Sequence, residues 1–250
     1  MKTKNTKRLD ILLVEKGLAP SRARAQSYIL AGIVYSGGQK LEKAGTLLDA
    51  TADIEVRGKE HPYVSRGGIK LAAVLDAFHI GPAGKTALDV GASTGGFTDC
   101  LLQRGAKSVL ALDVGKDQID WKLRSDPRVK VVEGFNARTV SPQTVGGPFD
   151  IVTIDVSFIS LELVLPPLPG VTVDGGHIVA LVKPQFEAGR DEVGKGGIIK
   201  DTKVHEKVVE KIIKFGVALG LTLIGNIESP ITGAKGNKEF LIVFRKGLAE

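Results

Sequence analysis

Cysteine is nearly absent from this sequence: Cys100 is the only one in 250 residues. No internal disulfide can form, so the fold has to rest on its core, and Cys100 is expected to be a small buried residue rather than a reactive thiol. No apolar run approaches the roughly 20 residues that span a bilayer, and the weakly polar stretch from Phe215 to Gly225 falls well short. The opening MKTKNTKRLD is basic but has no apolar segment behind it, so no export signal is read there and a cytoplasmic protein is expected. The histidines (His61, His79, His177 and His205) are scattered, with no cysteine or acidic cluster at ligand spacing, which argues against a metal site. Aromatic residues make up only 5% of the chain, so Tyr28, Tyr35, Tyr63 and Trp121 are expected mostly in the core rather than on a base-stacking surface. Internal repeats and low-complexity tracts are missing as well.

What is present is ordinary for a globular protein: 43% hydrophobic and 25% charged residues, enough for a sizeable core in one or two domains. The net charge of +6 is unevenly placed. Lys2, Lys4, Lys7, Arg8, Lys16, Arg22 and Arg24 face only Asp10 and Glu15 in the opening stretch, a pattern that fits either a polyanion partner or a solvated basic face.

From Arg8 to Val56 the pattern is small and compact. RLDILLVEKG places Leu9, Leu12 and Leu13 at helical spacing and stops at Gly17. SRARAQSYILAG predicts a second helix capped by Ser21, with Ala25, Ile29 and Leu30 inward and Gly32 at its end. IVYSGGQKL reads as a strand and a turn at Gly37-Gly38, and DIEV as a closing strand. Arg22 and Arg24 fall in the first turn of the second helix, where they oppose its dipole and so call for a partner. This order of elements resembles the S-four-type RNA-binding module, which implies an RNA-binding domain over residues 1–60 and RNA contacts by Arg8, Arg22 and Arg24.

RGKEHPYVSRGG carries mixed charge, Pro62 and a glycine pair, and a linker is expected over residues 61–68. From residue 69 to 250, β-branched apolar runs alternate with amphipathic segments, which predicts a doubly wound α/β domain with a parallel sheet covered on both faces. The last two strands are close enough to pair as an antiparallel hairpin.

In such a sheet ligands bind at the carboxyl ends of the strands, beside the first one. The turn after ALDVG, with Gly91, Ser93, Gly95 and Gly96, lacks the Lys-Ser or Lys-Thr of a triphosphate loop and has the wrong spacing for a dinucleotide. S-adenosylmethionine remains: Asp89 is read as serving its ammonium end, Asp113 its ribose hydroxyls, and Asn136 its adenine. A tight strand-to-helix turn with no ligand would need the same glycines. What tells against that plainer reading is a set of charges at the same edge: Asp155 after the fourth strand, Lys183 after the fifth, with Lys70 and Glu239 in reach. Charges at the ends of apolar strands are expensive when idle.

SRGGIKL, DVGASTGGFTD, DVSFISL and VKPQFEAGRDEVGKGGI together resemble the TlyA family of hemolysin-like proteins and ribosomal RNA 2′-O-methyltransferases, whose catalytic domain is similar to that of FtsJ-type enzymes. The resemblance spans nearly the whole chain. It implies a Rossmann-like methyltransferase domain, S-adenosylmethionine bound by the turn from Asp89 to Gly96, and a catalytic tetrad falling on Lys70, Asp155, Lys183 and Glu239. Many methyltransferases carry glycine where Ser93 stands. In this family terminal extensions bear on which ribosomal subunit is modified, and the little that precedes RLD or follows FRK leans toward the large subunit alone.

The implied reaction is methylation of a ribose 2′-hydroxyl, with Lys183 as general base or hydroxyl-orienting group, Lys70 lowering its proton affinity and Asp155 and Glu239 opposing that shift. Arg66, and Arg190 and Lys195 in the glycine-rich stretch from Glu187 to Asp201, are candidate phosphate contacts. Ribosomal RNA or a ribosomal subunit is the expected partner, and a monomer the expected state. The competing readings are an RNA-binding assembly factor without catalysis, a membrane-active hemolysin and, more remotely, a dinucleotide oxidoreductase.

Overall fold

The computed structural model describes residues 6–19, 21–30, 32–57, 61–194 and 196–248, with the side chains of residues 30, 190 and 234 excepted. The chain divides into two compact units, Met1–Pro62 and Tyr63–Glu250.

The first unit runs β1 (Thr6–Arg8), α1 (Leu9–Glu15), α2 (Arg22–Leu30), β2 (Val34–Ser36), β3 (Gln39–Lys40), β4 (Leu47–Asp49) and β5 (Glu55–Val56). Both expected helices are there, and Ser21 Oγ accepts the Arg24 amide at the start of α2. β2 pairs with β3 across the glycine turn and with β5 on its other side. The pair β1–β4 is an addition that the sequence did not announce. Leu9, Leu12, Leu13, Ala25, Ile29 and Val34 fill the core.

Among them sits one carboxylate. Asp10 is fully buried and gathers Arg8 Nε at 3.0 Å, Arg22 Nε at 2.8 Å and Gln26 Nε2 at 2.9 Å. The call for a partner to Arg22 is therefore answered inside the chain: a carboxylate on α1 offsets the charge that α2 carries against its own dipole. The hydrogen bond from Arg8, joined by those of Gln26 and Arg22, outweighs desolvation and holds Asp10 well below the usual carboxylate range. A folded value below the unfolded one adds stability that is present above the ordinary carboxylate pKa, about 4, and is lost as pH falls below it. Asp10→Ala is expected to destabilise this unit by about 2 kcal/mol. Amide exchange in α1 and α2 of the full chain, followed from pH 7 to pH 3, checks this: the wild type should lose protection on acidification and the variant should start low and change less.

The second unit begins before the expected linker ends. Tyr63 is buried, and the Val64 amide donates to Asp99 Oδ2 at 2.7 Å, so residues 63–68 pack as part of this unit. Its helices are α3 (Gly67–Ala77), α4 (Gly96–Gln103), α5 (Trp121–Arg124), α6 (Pro142–Val145), α7 (Pro184–Glu187) and α8 (Thr202–Ala218). Its strands are β6 (Thr86–Val90), β7 (Ser108–Asp113), β8 (Val129–Glu133), β9 (Phe149–Ile154), β10 (Thr172–Val182), β11 (Leu221–Glu228) and β12 (Phe240–Lys246).

They form one sheet in the order β8-β7-β6-β9-β10-β12-β11. The first five are parallel, while β12 runs antiparallel to both β10 and β11, so the expected hairpin forms with its second strand inserted against the parallel set. One face of the sheet packs Val152, Ile154, Ile178 and Ala180 against α8. The other packs Ala87, Val109 and Val179 against α3 and α4, with Cys100 buried and its thiol pushed up to about 11 by that burial. Trp121 departs from expectation: it is 75% exposed, because α5 is a single turn whose only buried residue is Leu123. The chain leaves β6 toward β7 and β8 and then returns to β9 on the opposite side of β6. This reversal opens a crevice at the carboxyl edge.

Candidate active site

The crevice is lined by two cavities of about 500 Å³ and 510 Å³ that share Gly91, Ser93, Asp155, Ser157 and Phe158. All four members of the expected tetrad line the first. Each arrives from a different element. Lys70 lies in the first turns of α3, Asp155 follows the last residue of β9, and Lys183 caps α7 just past β10. Glu239 precedes β12, whose reversed direction brings its beginning, rather than its end, to this edge.

They form two ion pairs, Lys70 Nζ to Glu239 Oε2 at 2.5 Å and Lys183 Nζ to Asp155 Oδ1 at 2.6 Å. Lys183 also donates to Ser157 Oγ at 2.9 Å. Both lysine side chains are 11% exposed, which leaves each ammonium shielded but open to the cavity. Buried pairs of this kind repay their desolvation only in good geometry; keeping two of them against one cavity is costly for a fold that does not use them.

The second cavity is lined by Asp113, Val114, Phe135, Asn136 and Arg138. Asp113 accepts the Ser93 amide at Oδ2 and the Gly115 amide at Oδ1, both at 2.7 Å. A carboxylate offers about four lone-pair positions, so one remains on each oxygen, which suits a vicinal diol such as a ribose. Asn136 spends its Oδ1 on the Arg138 amide, capping the short turn over Ala137–Thr139, and so shapes this wall.

The glycine turn is held by its neighbours. Gly91 has φ of +83°, and a Cβ there would lie 2.4 Å from the Asp155 carbonyl oxygen; one on Gly96 would lie 2.3 Å from Ser65 Oγ. Gly95 is left-handed at +92°, and so is Ser93 at +47°, which shows how a serine stands where a glycine is common. These glycines let the turn pack closely on its neighbours at the cavity wall, and the fit to S-adenosylmethionine rests on the carboxylate with free lone pairs beside it, Asp113. If that is the ligand, Asp113→Ala should weaken its binding about a hundredfold, two charge-assisted hydrogen bonds at roughly 1.4 kcal/mol each; titration calorimetry with S-adenosylmethionine would return an unchanged Kd if the assignment is wrong.

Asp89 requires a correction. It lines neither cavity and is fully buried under the turn, where Thr98 Oγ1 donates to it at 2.7 Å and Thr153 Oγ1 at 2.9 Å. On its strand it points sideways, into the face covered by α4, so it braces the turn rather than meeting an ammonium group. Burial pushes its carboxyl up to about 6 against those hydroxyl hydrogen bonds.

Arg66 is exposed at the rim of the tetrad cavity. Arg8 and Arg22 keep 43% and 55% of their side chains exposed while paired to Asp10, and Arg24 lies over the Tyr28 ring at 5.4 Å. The side chain of Arg190 and all of Lys195 lie outside the described residues. The stretch around them is tied to the segment before Glu239: Asn237 donates to the Gly197 carbonyl and accepts the Ile199 amide.

Ser157, Phe158, Gln185 and Phe186 line the tetrad cavity and were not singled out from the sequence. Phe158 is 89% exposed, with its ring centroid 4.9 Å from that of Phe186. Their only sequence signal is adjacency to Asp155 and Lys183 in DVSF and VKPQF. No helix among the described residues is long and apolar enough to cross a membrane.

Comparison with known proteins agrees with the division of the chain into two units. A family model described as FtsJ-like methyltransferase matches residues 63–246, and one described as S4 domain matches residues 7–54. YqxC of Bacillus subtilis, an rRNA methyltransferase by name, is 51% identical over 96% of this chain and 86% of its own length. TlyA of Mycobacterium tuberculosis, named a 16S/23S rRNA (cytidine-2′-O)-methyltransferase, is 46% identical over 95% of this chain and 89% of its own. A solved Streptococcus thermophilus structure whose name carries the word hemolysin superposes with a TM-score of 0.77 at 44% identity, covering 98% of this chain and 90% of that one.

Proposed function

Since the chain belongs to the TlyA family, FtsJ-like methyltransferases that carry an S4 domain, we propose that it transfers a methyl group from S-adenosylmethionine to the 2′-hydroxyl of a cytidine in ribosomal RNA. The observation that carries the reading is the Lys183 amine, held by Asp155 at 2.6 Å and Ser157 at 2.9 Å where the two cavities meet. One cavity fits the donor and the other a target ribose.

The donor supplies an electrophilic sulfonium methyl. The chain's contribution is alignment and proton removal. The glycine turn and Asp113 fix the donor, and Arg66 at the rim takes a backbone phosphate of the RNA. Lys183 in its neutral form accepts the 2′-hydroxyl proton as the oxygen attacks the methyl carbon. Positioning of this sort is worth several powers of ten in rate before any proton transfer is counted. The Lys70–Glu239 pair lines the same cavity, and there Lys70 stabilises negative charge building on the attacking oxygen. The first unit, through Arg8, Arg22 and Arg24, adds phosphate contacts whose loss should weaken binding most at low salt.

The test is transfer of radiolabelled methyl from S-adenosylmethionine to separated ribosomal subunits, followed by nucleoside analysis. Label recovered as 2′-O-methylcytidine supports the donor, the reaction and the nucleotide. Label in a base, or none in either subunit while S-adenosylmethionine binds, would overturn it.

A further inference from the structure

Ser157 has no role in the reading so far beyond contact with Lys183, and that contact has a stereochemical consequence. A neutral primary amine carries two N–H bonds and one lone pair at roughly tetrahedral angles, and on a flexible four-carbon stem it rotates freely. Two partners restrict that rotation. Ser157 Oγ accepts a Lys183 hydrogen at 2.9 Å, while Asp155 Oδ1, 2.6 Å away, holds the nitrogen as an ion-pair partner without hydrogen-bond geometry. With one hydrogen committed to Ser157, the lone pair is confined to the remaining directions. Lys183, Asp155 and Ser157 all line the tetrad cavity, so those directions include the cavity.

We propose that Ser157 is a positioning residue that, with Asp155, aims the lone pair of neutral Lys183 at the hydroxyl to be deprotonated. The inference rests on Lys183 being the base. The step balances without a further reactant: the hydroxyl proton moves to the Lys183 nitrogen, the oxygen electron pair forms the bond to the methyl carbon, and the sulfonium leaves as a neutral thioether. The ammonium then returns its proton to water. In that charged form one hydrogen stays on Ser157 Oγ and the Asp155 carboxylate offsets the added charge, so a hydrogen facing the cavity is the one exchanged.

The surroundings are suited to a fixed amine. Ser157 is itself exposed, so it can be changed without opening the core. The loop that carries it is anchored three residues on, where Ser160 Oγ and the Leu161 amide donate to the buried Glu187 at 2.6 and 2.8 Å. Glu187 ends the short helix that Lys183 begins, so donor and acceptor are mounted on segments locked to each other. The charged groups facing Lys183 are Asp155 beside it, with Lys70, Glu239 and Arg66 around the same cavity; Asp89 lies behind Asp155.

The experiment compares the full-length wild type with Ser157→Ala and Ser157→Thr in steady-state methyl transfer to ribosomal subunits across pH, with Lys183→Ala alongside. Ser157→Ala is expected to lower kcat about thirtyfold with little change in KM for either substrate, a loss of the size that misaligning a reacting group produces. Its acidic limb should also move to lower pH, because the ammonium form loses a hydrogen-bond acceptor that favours it. Ser157→Thr keeps the hydroxyl and should recover most of kcat with the limb where the wild type has it. A Ser157→Ala enzyme with wild-type kcat and an unmoved limb overturns the proposal, as does equal loss in both serine variants. An active Lys183→Ala enzyme would instead remove the base on which it rests.

Discussion

A Lys183→Ala enzyme is expected to transfer methyl groups at least about a thousandfold more slowly than the wild type, within the range that a positioned general base contributes. Binding of S-adenosylmethionine should persist, since Lys183 is absent from the wall of the cavity that holds Asp113 and Asn136. Alanine also strands Asp155, whose partner is gone, and that alone could loosen the site. Lys183→Arg separates the two effects. Arginine preserves the charge opposite Asp155 but stays protonated at any accessible pH, so it should keep stability and donor affinity while remaining as inactive as alanine. Rates in single turnover, with melting temperatures for each variant, decide the matter; an arginine variant that retains more than about a tenth of the wild-type rate would show that charge, rather than proton removal, is what Lys183 provides.

The second large effect is expected at Gly91. Its left-handed backbone and the Asp155 carbonyl, 2.4 Å from where a Cβ would stand, act together, and neither neighbour can yield: the Gly91 amide is bonded to Leu112 O at 2.8 Å, and the Asp155 amide to Val90 O at 2.9 Å. Gly91→Ala should cost about 3 kcal/mol or more in stability, from backbone strain plus overpacking. Any relief would come from displacing Asp155, which also holds the ion pair with Lys183. Gly81→Ala, where a Cβ meets nothing within 4 Å, is the control and should stay within about 0.5 kcal/mol. Urea unfolding of both proteins would contradict the account if the two midpoints coincided.

Strand ends were readable in advance because a buried parallel strand is an uninterrupted apolar run, and the first charge after it marks the carboxyl edge. Asp155 and Lys183 were placed in that way, each one residue beyond its strand. The same property hid the direction of Asp89. A strand buried on both faces has no alternation to show which side a residue faces, so its carboxylate was read as reaching the ligand when it faces α4. The Lys70–Glu239 contact joins residues 169 positions apart; the sequence placed both within reach of one edge and the family resemblance grouped them in a tetrad, but no local pattern signals that they pair. β1 and β4 escaped notice because three residues are too few to display a period. Arg22 was legible as an electrostatic anomaly, but its partner Asp10 stood out only as one of two acids in a basic stretch, with nothing to mark it as buried. Trp121 misled for the opposite reason: hydrophobicity argues for burial, and nothing in the local sequence reveals that α5 is too short to cover it.

The insertion of β12 between β10 and β11 sets an order of events during synthesis. Chains emerge from the ribosome N-terminal end first, at about 5–20 residues per second. By the time β11 has emerged, β12, its one strand partner among the described residues, does not yet exist. Until residues 240–246 appear, the edge of β10 and all of β11 offer unpaired backbone groups to any neighbouring strand. The residue that closes the second ion pair, Glu239, is delivered by the same event. Arrival of this one strand therefore ends the period of exposure to misassociation and completes the proposed active centre together, so a nascent chain that still lacks it carries the glycine turn but not the assembled four-residue cluster.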